Sequence, residues 1–195
     1  MSLGEGSGDA ADRSQAELRA LAHPVRLRIL SLLTGASLTA AEVARELGLT
    51  HANASYHLRN LLAGGIIVPA GEERIRGGVA KRYRYDVQQY VARESSAFRG
   101  DEEGAAYRPV ADRAPVLSAV AGELRRRATR VRWARGKVLA DAELWVDPAV
   151  WRDVRDRIAR AARDLHDAAQ APRTPGTLRT STTIALFEMR PDGES

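Results

Sequence analysis

Cysteine is absent from all 195 residues of the chain. That single absence removes disulfides, thiolate metal sites and thiol nucleophiles together. Long apolar runs are missing too. No window approaches the roughly 18 uncharged apolar residues of a membrane span, so no membrane partner is expected. The chain has no HExxH pair, no GxSxG elbow and no carboxylate cluster at a strand end. Its densest glycines, Gly4, Gly6 and Gly8, lie in a polar stretch instead of the strand-to-helix setting of a phosphate loop. Enzymatic hydrolysis therefore has no constellation to carry it, and no cofactor is expected. Residues 1–13 are polar and lack the basic start and apolar core of a secretion signal. They read as a flexible tail, and the cytoplasm is the expected compartment.

What the chain has is positive charge, unevenly spread. Thirty Lys and Arg against 25 Asp and Glu give a formal net charge of +5. Residues 20–85 alone hold nine cations (Arg26, Arg28, Arg45, Arg59, Arg74, Arg76, Lys81, Arg82, Arg84) and four glutamates (Glu42, Glu46, Glu72, Glu73). A field of that sign in one segment suits a polyanion, because displacing phosphate counterions drives non-specific affinity for DNA.

The same segment has a helical period. A first helix is expected from Ser14 to Ala22, ended at His23 because the residue before a proline is pushed out of the helical region. Pro24 can open the next helix, which carries Val25, Leu27, Ile29, Leu30, Leu32 and Leu33 and must lie in the core. Thr39 and Glu42 have capping-box spacing for a third helix. Gly48 suits the tight turn after it, and Thr50 can cap a fourth helix over 51–63. Two short helices about a glycine turn form a helix-turn-helix arrangement.

The fourth helix divides into two faces. Ala54, Leu58, Leu61 and Leu62 point inward, with His57 beside them read as a half-buried group bonded within the domain, a direct DNA contact being the alternative. Ala52, Asn53, Tyr56, Arg59 and Asn60 point outward, with Ser55 on the flank. In a major groove, Asn pairs with adenine, Arg with guanine or a phosphate, and Ala with a thymine methyl. The hydroxyls of Thr50 and Ser55 suit phosphates beside the groove. After Gly64 and Gly65, Ile66-Ile67-Val68 starts a strand, and EERIRGGVAKRYRYD reads as a hairpin with its tip at Gly77-Gly78. Strand alternation places Arg82 and Arg84 on one face and Lys81, Tyr83 and Tyr85 on the other. Arg74, Arg76, Lys81 and Arg82, nearest the tip, are candidates to enter a minor groove or clamp a backbone.

On these residues the chain resembles the winged-helix domain of ArsR-like regulators. The specific pieces are Ala22-His23-Pro24 with Arg26 and Ile29, then Glu42-Ala44-Leu47-Gly48, then Ser55-Tyr56-His57-Leu58 with Leu61 and Gly65. The resemblance covers residues 18–86. It implies a homodimeric repressor that binds double-stranded DNA, with 51–63 as recognition helix and Ser55 supporting DNA contacts. The long wing is closer to larger relatives with an added C-terminal region. Metal sensing is not expected, since the family's thiolate sites need cysteine and the helix expected over Val87 to Phe98 has no histidine. Asp164, His166 and Asp167 are spaced to diverge around a helix.

The expected fold is α+β: a winged helix-turn-helix over 14–99, a linker over 100–114, and a C-terminal dimerisation or effector region over 115–195. That region reads as a long helix from Pro115 to Lys137, a strand over 142–147, a helix from Pro148, a break at 172–176 and a second strand from Thr177. Tyr107, Trp133, Trp145 and Trp151 are candidates to line a pocket for a small-molecule effector, packing being the plainer reading. The alternatives are an architectural or RNA-binding winged helix and, more remotely, an enzyme with an unrecognised C-terminal site.

Overall fold

The computed structural model describes residues 15–75, 77–85, 113–131 and 138–189. The expected tail, the helix expected over Val87 to Phe98, nearly all of the linker, and the candidates Arg76, Tyr107 and Trp133 lie outside the described residues.

Helix α1 covers residues 15–21 and buries Ala20 and Leu21. His23 ends it in extended backbone, as a residue before proline must, and its ring Nδ1 accepts the Val25 N–H at 3.1 Å. Helix α2, Pro24–Leu33, buries Ile29, Leu30 and Leu33. A two-residue strand β1, Leu38–Thr39, leads into α3, Ala40–Leu47. The capping box at Thr39 is formed in full: the Glu42 N–H donates to the Thr39 hydroxyl, and the Thr39 N–H donates to the Glu42 carboxylate at 2.7 Å. Gly48 closes α3 with φ 67°, in the left-handed region. Thr50 then caps α4, His51–Ala63, accepting the Asn53 N–H at 3.2 Å.

None of these helices exceeds 13 residues. Isolated helices that short do not persist in water, so tertiary packing holds them. The largest wholly buried side chains are Ile29 and Leu33 of α2, Val43 of α3, Leu58 and Leu61 of α4, and Ile67 just after α4. Each contributes roughly 1.5–3 kcal/mol by leaving water. Thr39 sits within this cluster, 4% exposed. Thr39→Ala is expected to cost about 1 kcal/mol through loss of the cap, read as a lower urea midpoint with unchanged slope. Thr39→Ser should recover most of it; equal loss in both variants would show that the methyl, not the cap, matters.

Strands β2, Ile67–Ile75, and β3, Gly78–Tyr85, form the hairpin, and β1 adds to the far edge of β3 to give the order β1-β3-β2. Ile67 pairs with Tyr85 and Ile75 with Gly78. Between Pro69 and Glu72 the register shifts by a bulge, at Gly71 with φ 114°. On β1, Leu38 pairs with Tyr83 and Thr39 with Arg82. The hairpin is thereby tied to the start of α3.

Beyond the wing, helix α5 spans Ala114–Ala128 and packs on α2, with Ala119 and Glu123 buried. It ends well before Lys137. The Thr129 hydroxyl turns back onto the Arg126 carbonyl, and the next two amides bond three residues back instead of four. A buried charge needs a partner, and the Glu123 carboxylate has two, accepting from Arg126 at 2.6 Å with Arg127 at 3.7 Å. Helix α6, Pro148–Asp167, starts where Pro148 is expected to open it, capped by Asp147. Its flanking segments 138–147 and 177–189 run without strand pairing, so of the strand-helix-strand unit only the helix is formed as such among the described residues. A strand exists by its ladder bonds, and neither segment pairs with another described strand. No described helix is long and apolar enough to cross a membrane.

Candidate nucleic-acid interface

Helix α4 is seated by Ala54, His57, Leu58 and Leu61, all buried. That leaves Ala52, Asn53, Tyr56 and Arg59 exposed along its outer side, Tyr56 by 56%. Ser55 is half-buried on the flank. Asn60 is half-buried, and its amide donates to the Tyr56 carbonyl at 2.8 Å. One of its two N–H groups is therefore spent within the helix, which weakens it as a two-pronged partner for adenine. The Thr50 hydroxyl is exposed but already accepts the capping bond.

Ala52, Ser55 and Arg59 share an open depression with His51, Leu58, Ala40 at the start of α3, and Tyr83 of β3. The outer side of α4 and one face of the wing thus form one continuous surface. Lys81 lies two residues along β3 from Tyr83 and so on the same strand face; it is exposed and stands across from Glu72. Arg74 is exposed near the tip.

Arg82, a candidate near the tip of the wing, makes its contacts within the chain. Its guanidinium donates to the Ser37 carbonyl and hydroxyl and to Glu73, and lies 3.3 Å from Glu42. Every nitrogen of the fork has a partner within the chain, so the residue ties β3 to the loop before β1 and to the capping box of α3. These bonds hold the wing against the start of α3. Burial alone pushes the Glu42 carboxyl up, but the Thr39 amide and hydroxyl and the charges of Arg82 and Arg45 together hold it below the ordinary carboxylate value.

Beneath α4 lies a cluster that residue spacing does not reveal. The rings of His23 and His57 stand 4.7 Å apart, with Tyr56 edge-on to His57 at 5.3 Å. Arg26 reaches the Arg19 carbonyl, and its Nε and the His57 Nδ1 are buried without a partner. Burial lowers both imidazoles below their usual value near 6.5, and for His57 the charges of His23 and Arg26 lower it further. A histidine depressed in the folded state takes up protons more readily unfolded, so its contribution is present above about 6.5 and is lost as pH falls below it. The melting temperature should therefore drop between pH 7.5 and 5.5. His57→Phe, which keeps the ring and removes the charge, should flatten that drop; an unchanged pH slope in that variant would remove His57 as its source.

The aromatic candidates farther along do not converge among the described residues. Trp145 is 88% exposed, and the Trp151 indole N–H donates to Glu188 at 2.9 Å. Asp164, His166 and Asp167 are all exposed, with the His166 ring 2.6 Å from the Ala162 carbonyl. No group of three or more metal-ligating side chains occurs among the described residues.

A family model agrees with the helical part of this geometry. Residues 21–69 match the model of a helix-turn-helix domain family, a stretch running from the end of α1 through α2, α3 and α4 into β2. Among solved structures, the chain is similar to the homodimeric winged helix-turn-helix DNA-binding domain (residues 1–100) of Mb0332 from Mycobacterium bovis, described as a possible ArsR-family transcriptional regulator. The two are 21% identical, with a TM-score of 0.41 over 56% of this chain and 97% of that one. No curated protein matches.

Proposed function

We propose that this chain, built on a winged helix-turn-helix domain, is a sequence-specific double-stranded DNA-binding regulator of the ArsR-like kind, acting in the cytoplasm as a homodimeric repressor. The observation that carries the reading is that Ala52, Ser55 and Arg59 of α4 share one depression with Tyr83 of the wing, while Asn53 and Tyr56 are exposed on the same helix. An α-helix fits the major groove, and exposed Asn and Arg on such a helix read base edges. Lys81 and Arg74 then meet the backbone alongside. A two-fold dimer would set two such helices in successive major grooves, about 34–36 Å apart. Blocking a promoter follows from occupancy alone. The region after the wing would hold the two heads together, and an effector, if one is bound there, would act by favouring one arrangement of the heads. The protein does no chemistry in this reading.

The test is selection of bound genomic fragments by the purified chain, followed by footprinting. Enrichment of a dyad-symmetric site with half-sites one helical turn apart supports the regulator. Equal retention of all duplexes, or preference for single- or double-stranded RNA, would favour the architectural or RNA-binding alternative. In the footprinted complex, Lys81→Ala should weaken all duplexes alike and lower the dependence of log affinity on log salt by about one unit. An unaltered slope would take Lys81 off the phosphate backbone.

A further inference from the structure

Helix α4 has two flanks, and each meets a different part of the domain. Turning about 100° per residue from Ala52 passes Arg59 and Ser55 to Leu58 in one sense, and Tyr56 and Asn53 to His57 in the other. The first flank adjoins the wing, at Tyr83. The second adjoins the start of α2: the His57 ring stands 4.7 Å from that of His23, with Tyr56 edge-on to it. Arg26, in the first turn of α2, completes this flank, and its charge is felt by both imidazoles and by the Tyr56 phenol.

Arg26 is a cation without a counter-charge. One of its N–H groups donates to the Arg19 carbonyl at 2.8 Å, and its Nε–H is buried with no partner. Arg82, Arg126 and Arg173 each pair with a carboxylate, but Arg26 has none among the described residues. A half-buried guanidinium stays protonated, so its poor hydration is a standing cost that an arriving anion would relieve.

We propose that Arg26 is a second backbone contact, gripping a phosphate on the strand across the major groove from the one that the wing holds. The inference rests on α4 being the helix that enters a DNA duplex. An α-helix about 10–12 Å across nearly fills a major groove about 12 Å wide. Phosphates of one strand then line one flank of it, and phosphates of the other strand line the opposite flank. Lys81 serves the wing side, and Arg26 is the cation set beside Tyr56 on the other. Arg26 stands on a helix anchored by Ile29, Leu30 and Leu33, so this grip is held by the core of the domain. Contacts on both walls fix the depth and tilt of α4, which is what lets its outer side chains read base edges.

Removing the charge while keeping the stem separates a phosphate contact from a tie to α1. In the full chain, Arg26→Gln should weaken the selected site and random duplex alike by about tenfold. It should also lower the dependence of log affinity on log salt by about one unit. Arg26→Lys should keep the slope, since an ammonium holds a phosphate as a point charge. Arg26→Gln combined with Lys81→Ala should lose about two units, the contacts being separate. Thermal melts confirm that each variant is folded. Ethylation of single phosphates locates the partner: one phosphate should cease to interfere in Arg26→Gln, across the major groove from the one released by Lys81→Ala. A loss of affinity with slope and interference pattern unchanged would make Arg26 a tie to α1 and overturn the contact. So would a released phosphate on the same wall as that of Lys81. Either result leaves duplex binding through α4 standing. An unaltered chain that retains no duplex would overturn that reading, and this inference with it.

Discussion

Arg82→Ala is expected to destabilise the N-terminal domain by about 2 kcal/mol and to weaken binding to every duplex without changing the salt slope. Hydrogen bonds to a charged group contribute about 1.5–3 kcal/mol. The Arg82 side chain makes several but is 26% exposed, so the lower part of that range applies after solvent screening. Its partners span Ser37, Glu42 and Glu73. Truncation would free the hairpin from the start of α3 and leave two carboxylates facing each other without their cation. DNA affinity would then fall through misplacement of Lys81 and Arg74, not through a lost phosphate contact. Salt titration separates the two: a slope reduced by about one unit would return Arg82 to the phosphate backbone. Arg82→Lys should rescue little, because an ammonium cannot span the fork geometry that reaches Ser37 and the two glutamates at once. Urea denaturation of the same variants gives the stability half of the prediction.

Arg59→Ala is expected to cost about 10- to 100-fold in affinity for the selected site and much less for random duplex, as befits loss of a base contact worth about 1–3 kcal/mol. Arg59 is exposed, on the open side of the depression, and distant in role from the core that seats α4. Folding should therefore be unaffected. Asn53→Ala should act in the same direction. Asn60→Ala should have a smaller effect, since its amide already bonds the Tyr56 carbonyl. Competition between site and random DNA measures the ratio. Equal loss on both would make Arg59 a phosphate contact and move the reading of sequence elsewhere on α4.

Much of the N-terminal fold was legible in the order of residues because its determinants act over short distances. The Thr39–Glu42 box, the left-handed Gly48 and the Thr50 cap each involve residues within a few positions of one another. The inward and outward faces of α4 follow from a fixed angle per residue. The exposure of Asn53, Tyr56 and Arg59 was foreseeable for that reason, and so was the burial of Leu58 and Leu61.

Other assignments required the folded chain. The identity of Arg82 as a tie depends on Ser37, 45 residues earlier, and on a two-residue strand that no period announces. The His23–His57 stack joins the cap of one helix to the buried side of another. The end of α5 was misjudged by its composition, because a threonine hydroxyl and a tightened last turn, not the apolar pattern, terminate it. The chain's own order settled the helices from α2 to α4, their caps and the side α4 turns to water, since backbone geometry repeats and neighbours in sequence are neighbours in space. Which charges meet a partner, and which strand edges are left without one, was decided only by folding, because those contacts join residues that no local rule brings together.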